Sequence, residues 1–135
     1  MSTYPQKSSM AAYRSVAAHS GVAVADPHRL IVMLMDGALE HITAARGAME
    51  HGDGASRSRL VHKAVEITQE LRASLNLEAG GQIAANLADL YDYMGRQLVR
   101  ANLESRVELL EEVANLLRQI RSAWIQIPAQ LGGKP

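Results

Sequence analysis

The sequence has no cysteine and no phenylalanine, and its charges carry no excess of either sign. The absence of cysteine excludes disulfides, thiolate nucleophiles and cysteine-ligated zinc sites. Lys+Arg and Asp+Glu both number 14, so no basic excess is available to neutralise nucleic-acid phosphates. No window is long and apolar enough to span a bilayer, and residues 1–10 lack a signal-peptide pattern. We therefore expect a cytoplasmic protein that binds no nucleic acid and makes no stable membrane insertion.

The composition is that of one folded domain. The chain has 135 residues, of which 47% are hydrophobic and 21% charged, and this length is enough to bury a core. The apolar residues are mostly Leu, Ile, Val, Ala and Met, a mixture typical of helical bundles. Few stretches show the alternating pattern that strands require.

Helical periodicity divides the chain into four long segments. Asp26 is a suitable N-cap and Pro27 suits the first helical position, which predicts a helix to about residue 50. Further helices are predicted over about residues 57–75, 80–102 and 106–127. Because short loops make consecutive helices antiparallel neighbours, we predict an all-α, up-and-down four-helix bundle. Its expected domain boundaries are residues 21–127, with a mobile N-terminal segment and short cap helix over residues 1–20 and a disordered tail over residues 128–135.

The first, third and fourth helices carry more apolar residues than one core-facing stripe needs. The stripe expected inside the first helix is Leu30, Leu34, Ala38, Ile42, Ala45 and Met49, with Met33, Met35 and Leu39 outside it. On the third helix, one line of residues has the spacing of a core face: Ile83, Leu87, Leu90, Met94 and Leu98. A second line runs beside it through Ala84, Tyr91 and Gly95. The spare apolar faces indicate either a docking surface for a partner or a homodimer interface.

Chemistry-bearing motifs are missing. No Glu-x-x-His or His-Glu-x-x-His spacing occurs, so a bundle metal site is not expected. Gly80 and Gly81 follow no strand and precede no Lys-Ser/Thr pair, so we interpret them as a helix break rather than a phosphate loop. Asp89 and Asp92 are expected on an exposed polar edge. We therefore expect no enzyme activity, no catalytic residue, no cofactor and no metal.

Three stretches resemble the flagellar secretion chaperone FliS family. They are VADPHRLIVMLMDGALEHITAARGAM (residues 24–49), GGQIAANLADLYDYM with the later LVRAN (residues 80–102), and EEVANLLRQIRSAW (residues 111–124). They occur in the family's order, with the family's N-terminal tyrosine at Tyr13. One position departs: the family's Leu-Tyr-Asp-Gly run is Leu34-Met35-Asp36-Gly37 here, which removes a hydroxyl group.

The resemblance implies a cytosolic, non-enzymatic chaperone. Its client, the protein it carries, would be flagellin, whose disordered C-terminal segment it would bind to prevent premature polymerisation. It would then deliver flagellin to the export gate of the flagellar type III apparatus. From the motifs and the spare apolar residues, we predict these client-binding residues: Tyr13, Leu30, Met33, Leu34, Asn86, Leu87, Tyr91, Tyr93, Met94, Leu98 and Asn102. The alternative is a self-associating bundle with a structural or regulatory protein-binding role.

Overall fold

The computed structural model describes residues 26–127, which form four helices. They are α1 (Pro27–Glu50), α2 (Gly54–Ala73), α3 (Leu77–Glu104) and α4 (Val107–Gln126). The predictions for the N-terminal segment, including Tyr13, and for the C-terminal tail lie outside the described residues. Among the described helices, none combines the length and apolarity that a bilayer crossing demands.

Side-chain caps start three of the four helices. The Asp26 carboxylate accepts a hydrogen bond from the backbone N–H of Arg29 at 3.2 Å, and Pro27 follows it, as predicted. Asp53 caps α2 in the same way through Ser56, so α2 begins at Gly54, three residues before the predicted start. α4 begins at Val107 with no side-chain cap. The helix boundaries therefore follow local capping chemistry more closely than apolar periodicity.

The predicted break before α3 is partly wrong. Asn76 caps a helical turn through the backbone N–H of Ala79 at 3.0 Å, so α3 begins at Leu77 rather than at about residue 80. The break falls inside the helix at Gly81, whose φ of 56° and ψ of −134° are not helical. α3 ends at Glu104, and its C-cap Ser105 adopts the left-handed conformation with φ 54° and ψ 46°.

The helices pack in a ring, each against the two that neighbour it in the order α1, α2, α3, α4. His28 at the start of α1 contacts Trp124 at the end of α4, and Arg57 at the start of α2 contacts Asn102 near the end of α3. Adjacent helices therefore run antiparallel, and the predicted four-helix bundle is confirmed.

The buried core draws on all four helices and corrects two predictions. Met35, predicted outside the core stripe of the first helix, is fully buried, because the core-facing surface of α1 is wider than one stripe. On α3 the core is formed by the second line of residues together with the C-terminal part of the first. Ile83, expected to face the core, is 74% exposed. The buried residues of α3 are Ala84, Ala88, Tyr91, Met94, Leu98 and Ala101.

The expected polar edges are confirmed. Asp89 and Asp92 are both exposed, and Asp92 pairs with Arg72 of α2 at 2.9 Å. In the part of the chain that the structure describes, no three His, Asp or Glu side chains come together as a metal site.

Candidate functional site

A polar cluster joins the middle of α3 to α4. The Tyr93 hydroxyl donates to the Glu112 carboxylate at 2.5 Å, and Gln97 Nε2 donates to its other oxygen at 3.0 Å. These two donors hold the pKa of Glu112 below its usual range. The same hydrogen bond to the carboxylate raises the pKa of Tyr93. The cluster fixes the register of the two helices.

An apolar groove begins beside this cluster and runs to the start of α3 and the end of α4. Leu90 lies one turn before Tyr93 on α3, and Leu116 lies one turn after Glu112 on α4. Because the two helices are antiparallel, both leucines lie on the same side of the cluster. We call this apolar groove the α3–α4 groove. Its apolar residues are Ile83, Leu87 and Leu90 on α3, Leu116 and Ile120 on α4, and Ile127 directly after α4.

The groove residues are only partly covered by the bundle. Four of them, Leu87, Leu90, Leu116 and Ile120, are half-buried and pack their inner sides against the core. Ile83 and Ile127 are 74% and 38% exposed. An apolar strip of this kind, contributed by two adjacent helices, is the surface on which an amphipathic helix docks.

The size of the groove limits what it can hold. From Ile83 to Tyr93 is ten residues of helix, or about 15 Å at 1.5 Å per residue. The matching partner is therefore an amphipathic helix of about three turns, with apolar residues at positions i, i+3 or i+4, and i+7. At its inner end the groove stops at the hydrogen-bonded cluster of Tyr93, Gln97 and Glu112.

A clasp between His28 and Trp124 holds the end of α4 against α1. Trp124 Nε1 donates to the backbone carbonyl of His28 at 3.0 Å, and His28 Nε2 lies 2.9 Å from the backbone carbonyl of Trp124. The rings are stacked, with centroids 4.9 Å apart. Since the carbonyl oxygen only accepts, His28 carries its proton on Nε2. The clasp secures this end of α4 against α1, near the open end of the groove.

A separate cleft lies between α4 and α1. Its apolar floor is Ile42, Leu110 and Ala114, and its rim carries the ion pair of Arg46 with Glu111 at 2.6 Å. The cleft volume of about 210 Å³ lies below the roughly 300–1,000 Å³ typical of small-molecule sites. We regard the α3–α4 groove as the candidate functional site because Ile83 and Ile127 leave apolar surface exposed there.

Five of the predicted client-binding residues belong to the core. Tyr91 is 4% exposed, and burial raises the pKa of its hydroxyl to about 12. Each of these side chains packs inward and leaves almost no free surface, so none lines an open groove in this structure. Their role in client binding stays a prediction. The five are Leu30, Leu34, Tyr91, Met94 and Leu98, all at 4% exposure or less.

Other predicted residues lie in different places. Leu87 and Tyr93 are in or beside the α3–α4 groove, and Asn86 is exposed on α3, where its side-chain oxygen accepts from Gln82 at 2.9 Å. Met33 is half-buried on α1, away from this groove. Asn102 lies at the opposite end of α3, where Arg57 donates to its side-chain oxygen at 2.7 Å.

Most of the groove is missing from the predicted client-binding set. The sequence pattern assigns Ile83 and Leu90 to a core stripe, and it does not single out Leu116, Ile120 or Ile127 as client-binding. The two parallel stripes on α3 are the available signal, because only one of them can face the core centre. Periodicity alone does not say which one does.

Comparison with known proteins places the chain in a family. The family model for the flagellar protein FliS matches residues 9–131. The chain belongs to the FliS family. It is 45% identical over 121 residues to the flagellar secretion chaperone FliS of Salmonella typhimurium, covering 89% of this chain and 90% of the relative. It is 44% identical over 115 residues to the flagellar secretion chaperone FliSB of Pseudomonas aeruginosa, covering 85% and 91%. Against FliS of Vibrio cholerae the identity is 38% over 124 residues, covering 92% and 91%.

Met35 is the position at which this chain departs from the residue that the FliS resemblance leads us to expect. Met35 stands where the family resemblance expects tyrosine, and it is fully buried within the core cluster. A thioether fills such a site without needing a hydrogen-bond partner. The neighbouring Asp36 accepts from Arg121 of α4 at 2.6 Å and thus ties α1 to α4.

Proposed function

We propose that this FliS family protein is a cytoplasmic export chaperone that binds the disordered C-terminal region of flagellin. A helix of that region would dock in the α3–α4 groove, which would prevent premature polymerisation. The complex would then deliver flagellin to the flagellar type III export apparatus. The observation that carries the proposal is the uncovered apolar groove, with Ile83 74% exposed at its open end.

Two physical arguments support this role. A groove lined by Leu and Ile offers non-directional apolar contact, which suits a client helix recognised by its apolar face. A disordered segment must be ordered on binding, which costs several kcal/mol and keeps the affinity moderate for the area buried. Moderate affinity suits a carrier that releases its cargo at the export apparatus. The proposed role is binding and requires no cofactor.

Calorimetric titration with a flagellin C-terminal peptide from the same organism tests the proposal. We expect saturable binding near one to one and a large negative heat-capacity change, because apolar surface is buried and the peptide folds. Absence of binding at high micromolar concentration would contradict the assignment of this client.

Self-association is the second candidate function, and the same exposed apolar groove favours it. Light scattering at several protein concentrations separates the two functions. A monomer, or a dimer that the peptide dissociates, agrees with the chaperone. A tight dimer that persists when the peptide is added would assign the groove to a second copy of the chain.

A further inference from the structure

The first turn of α3 stands apart from the rest of the bundle. All eight residues from Asn76 to Ile83 are exposed, between the half-buried Leu75 and the buried Ala84. The turn has its own cap at Asn76 and its own backbone hydrogen bond, from Gly80 N–H to the Asn76 carbonyl at 2.8 Å. A single helical turn without tertiary packing is only marginally stable, and a segment without buried contacts opens at low free-energy cost.

Gly81 disconnects this turn from the helix that follows. Its φ of 56° and ψ of −134° lie in a region that residues with a Cβ avoid, and a Cβ there would meet no other atom within 4 Å. The requirement for glycine is therefore conformational rather than steric. Gly80 lies close against the next turn, since a Cβ on it would come within 2.6 Å of the Ala84 Cβ. The two glycines let the turn fold over the start of the main helix.

Because of the break at Gly81, the orientation of the Leu77 side chain is not fixed by the helix that follows. In a continuous helix Leu77 would point about 120° around the axis from Ile83, and so away from the α3–α4 groove. With Gly81 in its observed conformation, that constraint is removed. Leu77 is 52% exposed and Ile83 is 74% exposed, so each leaves apolar surface in water on either side of the break.

We propose that residues 77–80 form a flap that pivots at Gly81 and lays Leu77 against an amphipathic helix occupying the α3–α4 groove. The flap buries Leu77 only when the groove is filled, so it slows dissociation of the occupant. The inference rests on the function proposed above and adds to it a further contact residue, Leu77, and a hinge, Gly81.

Dissociation rates of a flagellin C-terminal peptide, measured by surface biosensing on the full-length chain, test the flap. Leu77→Ala removes the contact, and we expect the dissociation rate to rise about tenfold, which corresponds to ~1.4 kcal/mol. Gly81→Ala favours a continuous helix that turns Leu77 away, and we expect a similar rise with helix content kept or increased.

Gly52→Ala is the matched control. Gly52 also has a positive φ, 72°, and a Cβ added there would likewise meet no atom within 4 Å, but it lies in the loop between α1 and α2 at the other end of the bundle. It should leave the dissociation rate unchanged. Unchanged rates in both Leu77→Ala and Gly81→Ala would overturn the flap, as would an effect of Leu77→Ala without one of Gly81→Ala. Failure of the unsubstituted protein to bind the peptide would instead overturn the proposed function, and the flap with it.

Discussion

The Tyr93 hydroxyl and the Glu112 carboxylate, 2.5 Å apart, join α3 to α4 at the point where the apolar groove ends. Beyond this contact, toward the start of α3 and the end of α4, lies the strip of leucine and isoleucine side chains that forms the groove. The contact therefore marks the inner end of the apolar surface that we propose receives another helix.

Removing the Glu112 charge should change how stability depends on pH. Hydrogen bonds from Tyr93 and Gln97 lower the pKa of Glu112 in the folded protein. The stabilisation is present above the unfolded pKa of about 4.3 and is lost as the pH falls through the lower folded pKa. Urea unfolding between about pH 6 and pH 3 should therefore show a smaller loss of stability in Glu112→Gln than in the unsubstituted protein. Equal losses would mean that Glu112 is not held by these donors in solution.

The burial of the Tyr91 hydroxyl predicts that the protein loses stability at alkaline pH. Burial raises the pKa of Tyr91 to about 12, whereas tyrosine in the unfolded chain ionises near 10. In the folded state the Tyr91 hydroxyl therefore stays protonated to higher pH than in the unfolded chain. Its contribution to stability is full below about pH 10 and falls above it, by about 2–3 kcal/mol as the pH approaches 12. Tyr91→Phe keeps the ring and should reduce this alkaline loss, measured by urea unfolding. An unchanged loss would place the Tyr91 hydroxyl in water.

Substitutions at Leu98 and Ile83 should distinguish a core residue from a groove residue by their effect on stability. Leu98 is fully buried, so Leu98→Ala should lower the free energy of unfolding by about 2–5 kcal/mol. Ile83→Ala, at a site 74% exposed, should change it by less than about 0.5 kcal/mol. Chemical denaturation of both variants makes the comparison. If Leu98→Ala left stability intact but weakened client binding, Leu98 would belong to the client surface, as its sequence pattern predicts.

Asn102 is expected to serve the fold rather than the client. Its side-chain oxygen accepts from Arg57 at 2.7 Å and from Ser58 at 3.3 Å, which ties the end of α3 to the start of α2. Asn102→Ala should cost about 1–2 kcal/mol of stability. Peptide affinity should stay unchanged, because the groove lies at the other end of α3. Asn86→Ala, at an exposed site, is the control and should be nearly neutral for stability. Weaker peptide binding by Asn102→Ala in its folded form would restore Asn102 to the client surface.

The sequence was sufficient for the architecture. Capping residues such as Asp26 act locally, and helical periodicity with short loops leaves few arrangements other than an antiparallel bundle. It was insufficient for the site, because burial depends on how each helix is rotated and where its neighbour ends. Tyr91 and Ile83 show this on one helix: both have helical spacing from core residues, yet one is 4% exposed and the other 74%. Only the packing of α3 against its neighbours distinguishes them.

The central claim is that the α3–α4 groove is the client surface, and a paired charge substitution tests it most directly. Ile83 and Leu103 are both strongly exposed on α3, at 74% and 79%, but they lie at opposite ends of the helix. The measurement is the Kd of a flagellin C-terminal peptide for Ile83→Asp and Leu103→Asp, with thermal midpoints recorded to show that both fold. We predict at least a tenfold weaker Kd for Ile83→Asp, ~1.4 kcal/mol or more, and no change for Leu103→Asp. Unchanged binding by Ile83→Asp, or an equal loss in both variants, would contradict the account.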